Sequence, residues 1–452
     1  MAEVFIRRVR TVPSTKHSMP WKIFSLSALD HCMEFNSLRI IYYYKFPGEE
    51  SITRRLLQSL SEALTSFPVI TGRLLMDDKG NWTIKSNDAG VRVIQATTGV
   101  SLDEWMKIAG NRDEIRLTYW DYEHEKSYVW SPLHIQLTEF EGGGLAIGLS
   151  CTHLVADMAS LTMLVKAWAD THALKERPQP PSFYPLPAKA CKKTFSKLEN
   201  GMIECYKSMS KPIDTETPCP ETCEPKYETL AFLFTEEQIS KCMEAAQLGS
   251  VNEPAASAAF EVLAALFWIS CTKAKKKPKL VDLLVCIDMK KTMGFRSDFF
   301  GNSMVFNKVY GSDEMLRDNE LRSASRAVHG TVRKMGEEEM LDLLQYMESN
   351  RDEYGRLPKT VLHYGPDLVC INLENLEPYS AIFQKGTEPL HVSFHSLPMV
   401  GSEGQIMILP SPQGGLSRMV MVSLPLDQIR RLREDAAILG FNPTILGGTR
   451  KP

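Results

Sequence analysis

The amino-acid sequence predicts an α/β protein of two similar halves joined by a long crossover. Three observations carry that reading. Strand-like and helix-like runs alternate on both sides of residues 176–228. That middle segment holds nine prolines from Pro178 to Pro225, which prevent long regular elements. The chain's 452 residues also exceed what one hydrophobic core usually organises. The expected division is 1–175, 176–228 and 229–452.

Each element follows from local pattern. Arg39 to Phe46 is rich in β-branched and aromatic residues and reads as a strand, closed by Pro47-Gly48. Ile52, Leu56, Leu57, Leu60 and Leu64 recur at helical spacing, so residues 51–64 form a one-sided helix. Trp82–Ile84, Val91–Ile94 and His134–Phe140 read as strands. Gly142-Gly-Gly144 then turns into an apolar strand, Leu145 to Leu149. Leu161, Leu164, Val165 and Trp168 return to helical spacing. After the crossover come the strand 229–234, a strong helix from Ala255 to Thr272 and the strand 280–287. Late strands at 405–409 and 418–424 flank the turn Pro410-Ser-Pro-Gln-Gly-Gly415.

Composition narrows the function. With 43% apolar and 24% charged residues the chain is an ordinary globular protein. Its formal charge of -3 gives no reason to expect nucleic-acid binding. Ten cysteines are scattered rather than regularly spaced. Cys219 and Cys223 form the one close pair and lack partners for a tetrahedral site, so no metal is expected. No signal-like segment opens the chain, and no run approaches the roughly 20 apolar residues of a membrane span. A cytoplasmic monomer is the expectation, able to rest on a membrane through a partner.

The most informative stretch is His153-Leu-Val-Ala-Asp157, at the junction between the strand 145–149 and the helix beyond it. Neutral imidazole can take a proton from a hydroxyl or amine, and a nearby carboxylate can hold the ring or its loop. The pattern alone is weak, since a core histidine and a helix-capping aspartate would look the same.

Other segments then align with one family. Leu26-Ser-Ala-Leu-Asp30, Phe67-Pro-Val-Ile-Thr-Gly-Arg-Leu74, His153 with Asp157, the run Ser257 to Trp268, and Phe300-Gly-Asn302 resemble the motifs of the plant BAHD acyltransferases, in chain order. The resemblance covers nearly the full length. It implies two similar chloramphenicol-acetyltransferase-like domains with an active channel at their interface, and no bound cofactor. Acyl-CoA would be the co-substrate and a small hydroxyl or amine compound the acceptor. On that resemblance His153 is the general base. Asp157 turns away from the channel to pair with an arginine of the other domain, a position that carries Lys290 here. Lysine cannot make the planar bidentate pair, so the clasp is expected to be weaker. Ser257 and the cluster Lys273, Lys275, Lys276, Lys277 and Lys279 are candidates to hold the coenzyme; each lysine reads equally well as a solvated cation near a helix C-terminus.

The chain departs from the family at a second hallmark, D-F-G-W-G. Ile382-Phe383-Gln384-Lys385-Gly386 stands there instead. The following segment, Pro389 to His395, and the carboxyl end resemble the ECERIFERUM and GLOSSY branch of cuticular wax formation. Members of that branch assist very-long-chain fatty-acid elongation with the condensing enzyme at the endoplasmic reticulum. Strand alternation would place His391, Ser393 and His395 on one face, either near the channel or on the surface. Two functions are thus expected in competition: an acyl-CoA-dependent acyltransferase, or an elongation accessory that partners the condensing enzyme.

Overall fold

The computed structural model describes residues 3–17, 19–46, 52–120, 129–174, 179–183, 200–212, 227–247, 255–276, 281–312, 320–358, 360–362, 367–397 and 404–446. Two large mixed sheets dominate it. The first has six strands, in the order Val4–Val12, Val91–Ser101, Leu133–Glu141, Gly144–Thr152, Ser37–Lys45 and His391–Leu397. The second has seven, in the order Met304–Val309, Leu283–Asp288, Leu368–Asn372, Gly404–Pro410, Arg418–Pro425, Tyr227–Phe234 and Thr444–Leu446.

The predicted strands form because their apolar residues have a face to bury. In Ser37–Lys45, Leu38, Ile40, Tyr42 and Tyr44 enter the main core, while Ile41 and Tyr43 enter a smaller cluster on the opposite face. That second face explains why this strand reads as continuously apolar rather than alternating. Helix Ile52–Leu64 buries Leu56, Leu60, Ala63 and Leu64 and packs on helix Met158–Leu174. In helix Ala255–Lys273 the whole run Ala258 to Cys271, Glu261 and Ser270 included, is buried. An all-round apolar helix of this kind belongs in a core.

Three features lay beyond the sequence patterns. Strand His391–Leu397 leaves the second half and pairs antiparallel with Ser37–Lys45, His391 opposite Tyr43 and His395 opposite Arg39. Helix Gly201–Met209 forms in the proline-free part of the crossover, capped by the Asn200 side chain. Its Met202, Cys205, Tyr206 and Met209 are buried, and it packs on strand Met304–Val309. The helices Glu320–Arg333 and Glu337–Ser349 complete the second half. Cys219 and Cys223 lie outside the described residues.

One glycine fixes the path into the His153 turn. A Cβ on Gly148 would stand 2.0 Å from the Leu117 carbonyl oxygen, a backbone atom that cannot swing aside. Glycine in a strand interior marks such close approaches. Gly148→Ala should therefore cost about 1–3 kcal/mol or more. Thermal unfolding would register this as a lower Tm and a smaller soluble yield.

Candidate active site

The strand Gly144–Thr152 delivers His153 to the place where the two halves meet. The His153 amide donates to the Asn36 carbonyl at 2.9 Å, which fixes the turn. The ring is held from the other half of the chain. His153 Nδ1 stands 2.9 Å from Asn302 Oδ1.

That contact has one chemically consistent reading. The Asn302 amide nitrogen donates to the Asp30 carboxylate at 2.8 Å and to the His153 carbonyl at 2.7 Å. Both partners are acceptors, so the amide cannot be flipped. Its oxygen therefore faces Nδ1, and Nδ1 must carry the proton. The lone pair is then on Nε2, the tautomer a general base requires. Burial lowers the His153 pKa from its ordinary value, against the opposing pull of Asp157 and Asn302. The ring is neutral near pH 7.

Asp30 is itself fixed. It accepts from the Ser27 amide at 2.7 Å and the Ser27 hydroxyl at 2.6 Å, in the capping box of the short helix Ala28–His31. The Ala28 amide donates across the junction to Glu348 at 2.7 Å. The Leu26–Asp30 and Phe300–Asn302 motifs thus converge on one histidine from distant parts of the chain.

Asp157 is buried and turned to the backbone. Its Oδ1 accepts from the Ser160 amide at 2.7 Å, capping helix Met158–Leu174. Its Oδ2 accepts from the Ser303 amide at 3.1 Å and the Ser303 hydroxyl at 2.9 Å. Burial pushes its pKa up, but the Lys290 charge and the bonds from Ser160 and Ser303 outweigh it and hold the carboxyl below its ordinary value. Lys290 forms no salt bridge with Asp157 among the described residues; its charge also offsets Asp288, whose carboxyl burial and Asp157 push upward. Ser160 completes the junction by donating to the Gly301 carbonyl at 2.9 Å while accepting from the Gly301 amide at 3.0 Å. Phe67 meets Phe300 edge-on, ring centres 5.5 Å apart. Arg73 of the same motif donates to the carbonyls of Gly72, Ala89 and Gly90, a loop-stitching arrangement.

The remaining candidates separate. Ser257 falls in the first turn of helix Ala255–Lys273, and Lys273 at its last residue. Sixteen residues of helix put the two roughly 24 Å apart. Lys273 is exposed and ion-paired with Glu320; Lys275 is half-buried and Lys276 exposed. Lys277 and Lys279 lie outside the described residues. His391, Ser393 and His395 gather on one face, around a residue the sequence did not single out. Glu114 accepts from Ser393 at 2.8 Å and from the Tyr43 hydroxyl at 2.7 Å, and lies 3.4 Å from His395 Nε2. Burial pushes Glu114 up, yet His395, His391 and Tyr43 together hold it at about 2. His391 stacks on Tyr43. In the segment replacing D-F-G-W-G, Phe383 is buried edge-on against Trp168 and Tyr44.

The two-sheet α/β fold is of the chloramphenicol-acetyltransferase-like class. The sequence model of the Transferase family matches residues 2–439, and the chain belongs to that family, the BAHD acyltransferases. Among its relatives, Protein ECERIFERUM 2 of Arabidopsis thaliana is 23% identical over 425 residues, 91% of this chain and 92% of that protein. Rosmarinate synthase of Plectranthus scutellarioides is 24% identical over 403 residues, 87% and 90% of the two chains. The crystal structure of vinorine synthase superposes with a TM-score of 0.69 at 18% identity, covering 95% of this chain and 96% of that one. F. graminearum TRI101, complexed with ethyl coenzyme A, gives a TM-score of 0.72 at 13% identity, covering 94% and 100%.

Asp157→Asn should lose one of its two acceptor sites and cost about 1.5–3 kcal/mol. The sign with pH is set by the lowered folded pKa: the stabilisation is complete above the unfolded value of ~3.9 and disappears as pH falls through the folded one. Denaturant unfolding at several pH values checks both. The variant should be less stable at neutral pH and lose less than wild type on acidification.

Proposed function

We propose that this member of the family is an acyl-CoA-dependent acyltransferase acting on a hydroxyl or amine of a small plant metabolite. His153 Nε2 takes the proton as the acceptor oxygen or nitrogen attacks the thioester carbonyl. The new C–O or C–N bond forms, the C–S bond breaks, and the imidazolium returns the proton to the departing coenzyme A sulfur. No enzyme nucleophile is needed, because the thioester already supplies a good leaving group. The observation that carries the reading is the Asn302 amide, which leaves His153 with its lone pair on Nε2. Asp157 and Lys290 have structural roles, joining the halves behind that histidine.

Incubating the purified protein with a panel of acyl-CoAs and plant alcohols and amines, and following coenzyme A release and product mass, tests the proposal. Wild type should turn over at least one pair; no product from any pair would overturn it. His153→Ala should lower transfer about 10²–10⁴-fold. Because the His153 pKa is lowered, the acid limb of the rate profile should fall below pH ~6.5, the ordinary histidine value. Asn302→Ala should move that limb further to acid, since the bond from Nδ1 to Asn302 raises the pKa, and should lower kcat more than it changes KM.

The two ends of helix Ala255–Lys273 give a separate check on coenzyme binding. We propose Ser257 as a contact to the pantetheine arm, and the lysines Lys273, Lys275, Lys276 and Lys277 as partners of the phosphates. Neutralising the lysines should raise KM for the acyl donor alone, with an effect that shrinks at high salt. Indifference of donor KM to all four would return them to the role of solvated surface cations.

A second reading has its own support. Similarity to ECERIFERUM proteins over nine-tenths of the chain and the missing D-F-G-W-G favour an accessory of very-long-chain fatty-acid elongation, partnered with the condensing enzyme at the endoplasmic reticulum. In a reconstituted elongation assay, that function should survive His153→Ala, whereas acyl transfer should not.

A further inference from the structure

We propose that the edge strand Val4–Val12 is a docking surface for an anionic lipid bilayer, independent of acyl transfer at His153. The strand ends the first sheet: one side pairs with Val91–Ser101 and the other has no neighbouring strand among the described residues. Residues 5–11 are all exposed in succession. Three are large and apolar, Phe5 at 49%, Ile6 at 54% and Val9 at 52% exposure. A long, apolar, exposed edge is what soluble proteins usually avoid.

The register shows how these side chains are arranged. It shifts between Ile6 and Arg8, so that Ile6 lies opposite Ala96 and Val9 opposite Ile94. Ala96 and Ile94 are two residues apart on one face of their strand, so the bulge brings Ile6 and Val9 to the same face. Without it they would point to opposite sides. Phe5, opposite Thr97, takes the other face with Arg8 and Arg10.

Charge selects the occupant. Arg7, Arg8 and Arg10 form no salt bridge among the described residues. Arg7 donates to Thr97 Oγ1 at 2.9 Å with its guanidinium 6.0 Å from the Phe5 ring centre, and Arg10 donates to Gln95 at 3.2 Å. Three guanidinium groups without a salt bridge among the described residues, on one edge with three exposed apolar side chains, match an interface of lipid phosphates above acyl chains met edge-on. A second copy of this chain fits worse. Antiparallel pairing of this edge about its central residue would set Arg8 directly against its own counterpart, and like charges directly opposite destabilise a sheet. Nucleic acid would leave Phe5, Ile6 and Val9 without a partner. The strand's outward backbone groups stay satisfied at headgroup depth, where water reaches them.

Pelleting of the full chain with vesicles tests this. The protein should sediment with phosphatidylcholine vesicles containing phosphatidylserine and little with phosphatidylcholine alone, and release as salt rises. Each arginine changed to glutamine should weaken binding about five-fold, so Arg7→Gln, Arg8→Gln and Arg10→Gln together should weaken it by about 10²-fold. Phe5→Ser, Ile6→Ser and Val9→Ser together should weaken it at least as much. These positions are exposed, and unchanged thermal unfolding of both triple variants confirms that the fold is intact. Absence of binding to the anionic vesicles, or binding that survives both triple variants, overturns the proposal. So does a dimer in analytical ultracentrifugation that only the apolar triple variant dissolves, without vesicle binding.

Discussion

The Asn302 carboxamide is the group on which the rest of the site depends. It has two faces of opposite polarity and cannot rotate, because its nitrogen is claimed by Asp30 and by the His153 carbonyl. Its oxygen is left for the histidine ring. One amide from the second half thus sets both the position and the tautomer of a side chain from the first. An aspartate there would have no donor for Asp30 and would bring two buried carboxylates together. Leucine would remove the Asn302 bond to Asp30 and the acceptor for the Nδ1 proton. The position and tautomer of the His153 ring therefore rest on the halves staying in register, not only on the presence of a histidine.

Register is kept by the residues on either side of Asn302. Gly301 and Ser160 exchange two hydrogen bonds, and Ser303 gives two to Asp157. A buried carboxylate is tolerated here because its charge is spread over three donors and compensated by Lys290. The lysine acts as a point charge for Asp157 and Asp288 together, without forming a paired contact to the first. A lysine compensates the charge without the planar clasp an arginine can make, and the geometric contact to Asp157 from the second half comes from Ser303. Asp157 is therefore both helix cap and inter-half joint, and neither role exposes it to a reacting atom.

Much of this was legible in the sequence, and the limits have physical causes. Helix Ile52–Leu64 follows from helical spacing, while strand Ser37–Lys45 and helix Ala255–Lys273 follow from near-continuous apolar runs, which report burial on every face. Asp157 followed three residues later by the Ser160 amide is a capping arrangement that local sequence can reveal. The His153–Asn302 pair spans 149 residues. Only the fold brings those residues together, so spacing could at most flag the two motifs separately. Glu114 was invisible for the same reason: an acidic residue on a short polar helix, it acquires meaning only when strand His391–Leu397 crosses from the other half. Alternation did place His391, Ser393 and His395 on one face, but not the carboxylate that face meets. The edge strand Val4–Val12 gives no such pattern because its residues are exposed on both faces, and unburied strands carry little periodic signal.

The replaced hallmark shows why a motif can change without unmaking the fold. Phe383 fills a site between Trp168 and Tyr44, while the Tyr44 hydroxyl donates to the Ala381 carbonyl at 2.8 Å. Gly386 takes a positive φ of 76°, which closes the turn between Gln384 and Thr387. Shape is thus retained by one aromatic ring and one left-handed glycine, with no carboxylate required. Immediately beyond, strand His391–Leu397 is secured to the first sheet by a second set of contacts, Glu114 with Ser393 and His395. The segment is thus anchored to the first half both at the turn and along the strand. Because neither anchor supplies an atom to His153 or Asn302, loss of the hallmark bears on how the halves are joined rather than on the histidine and the amide that holds it.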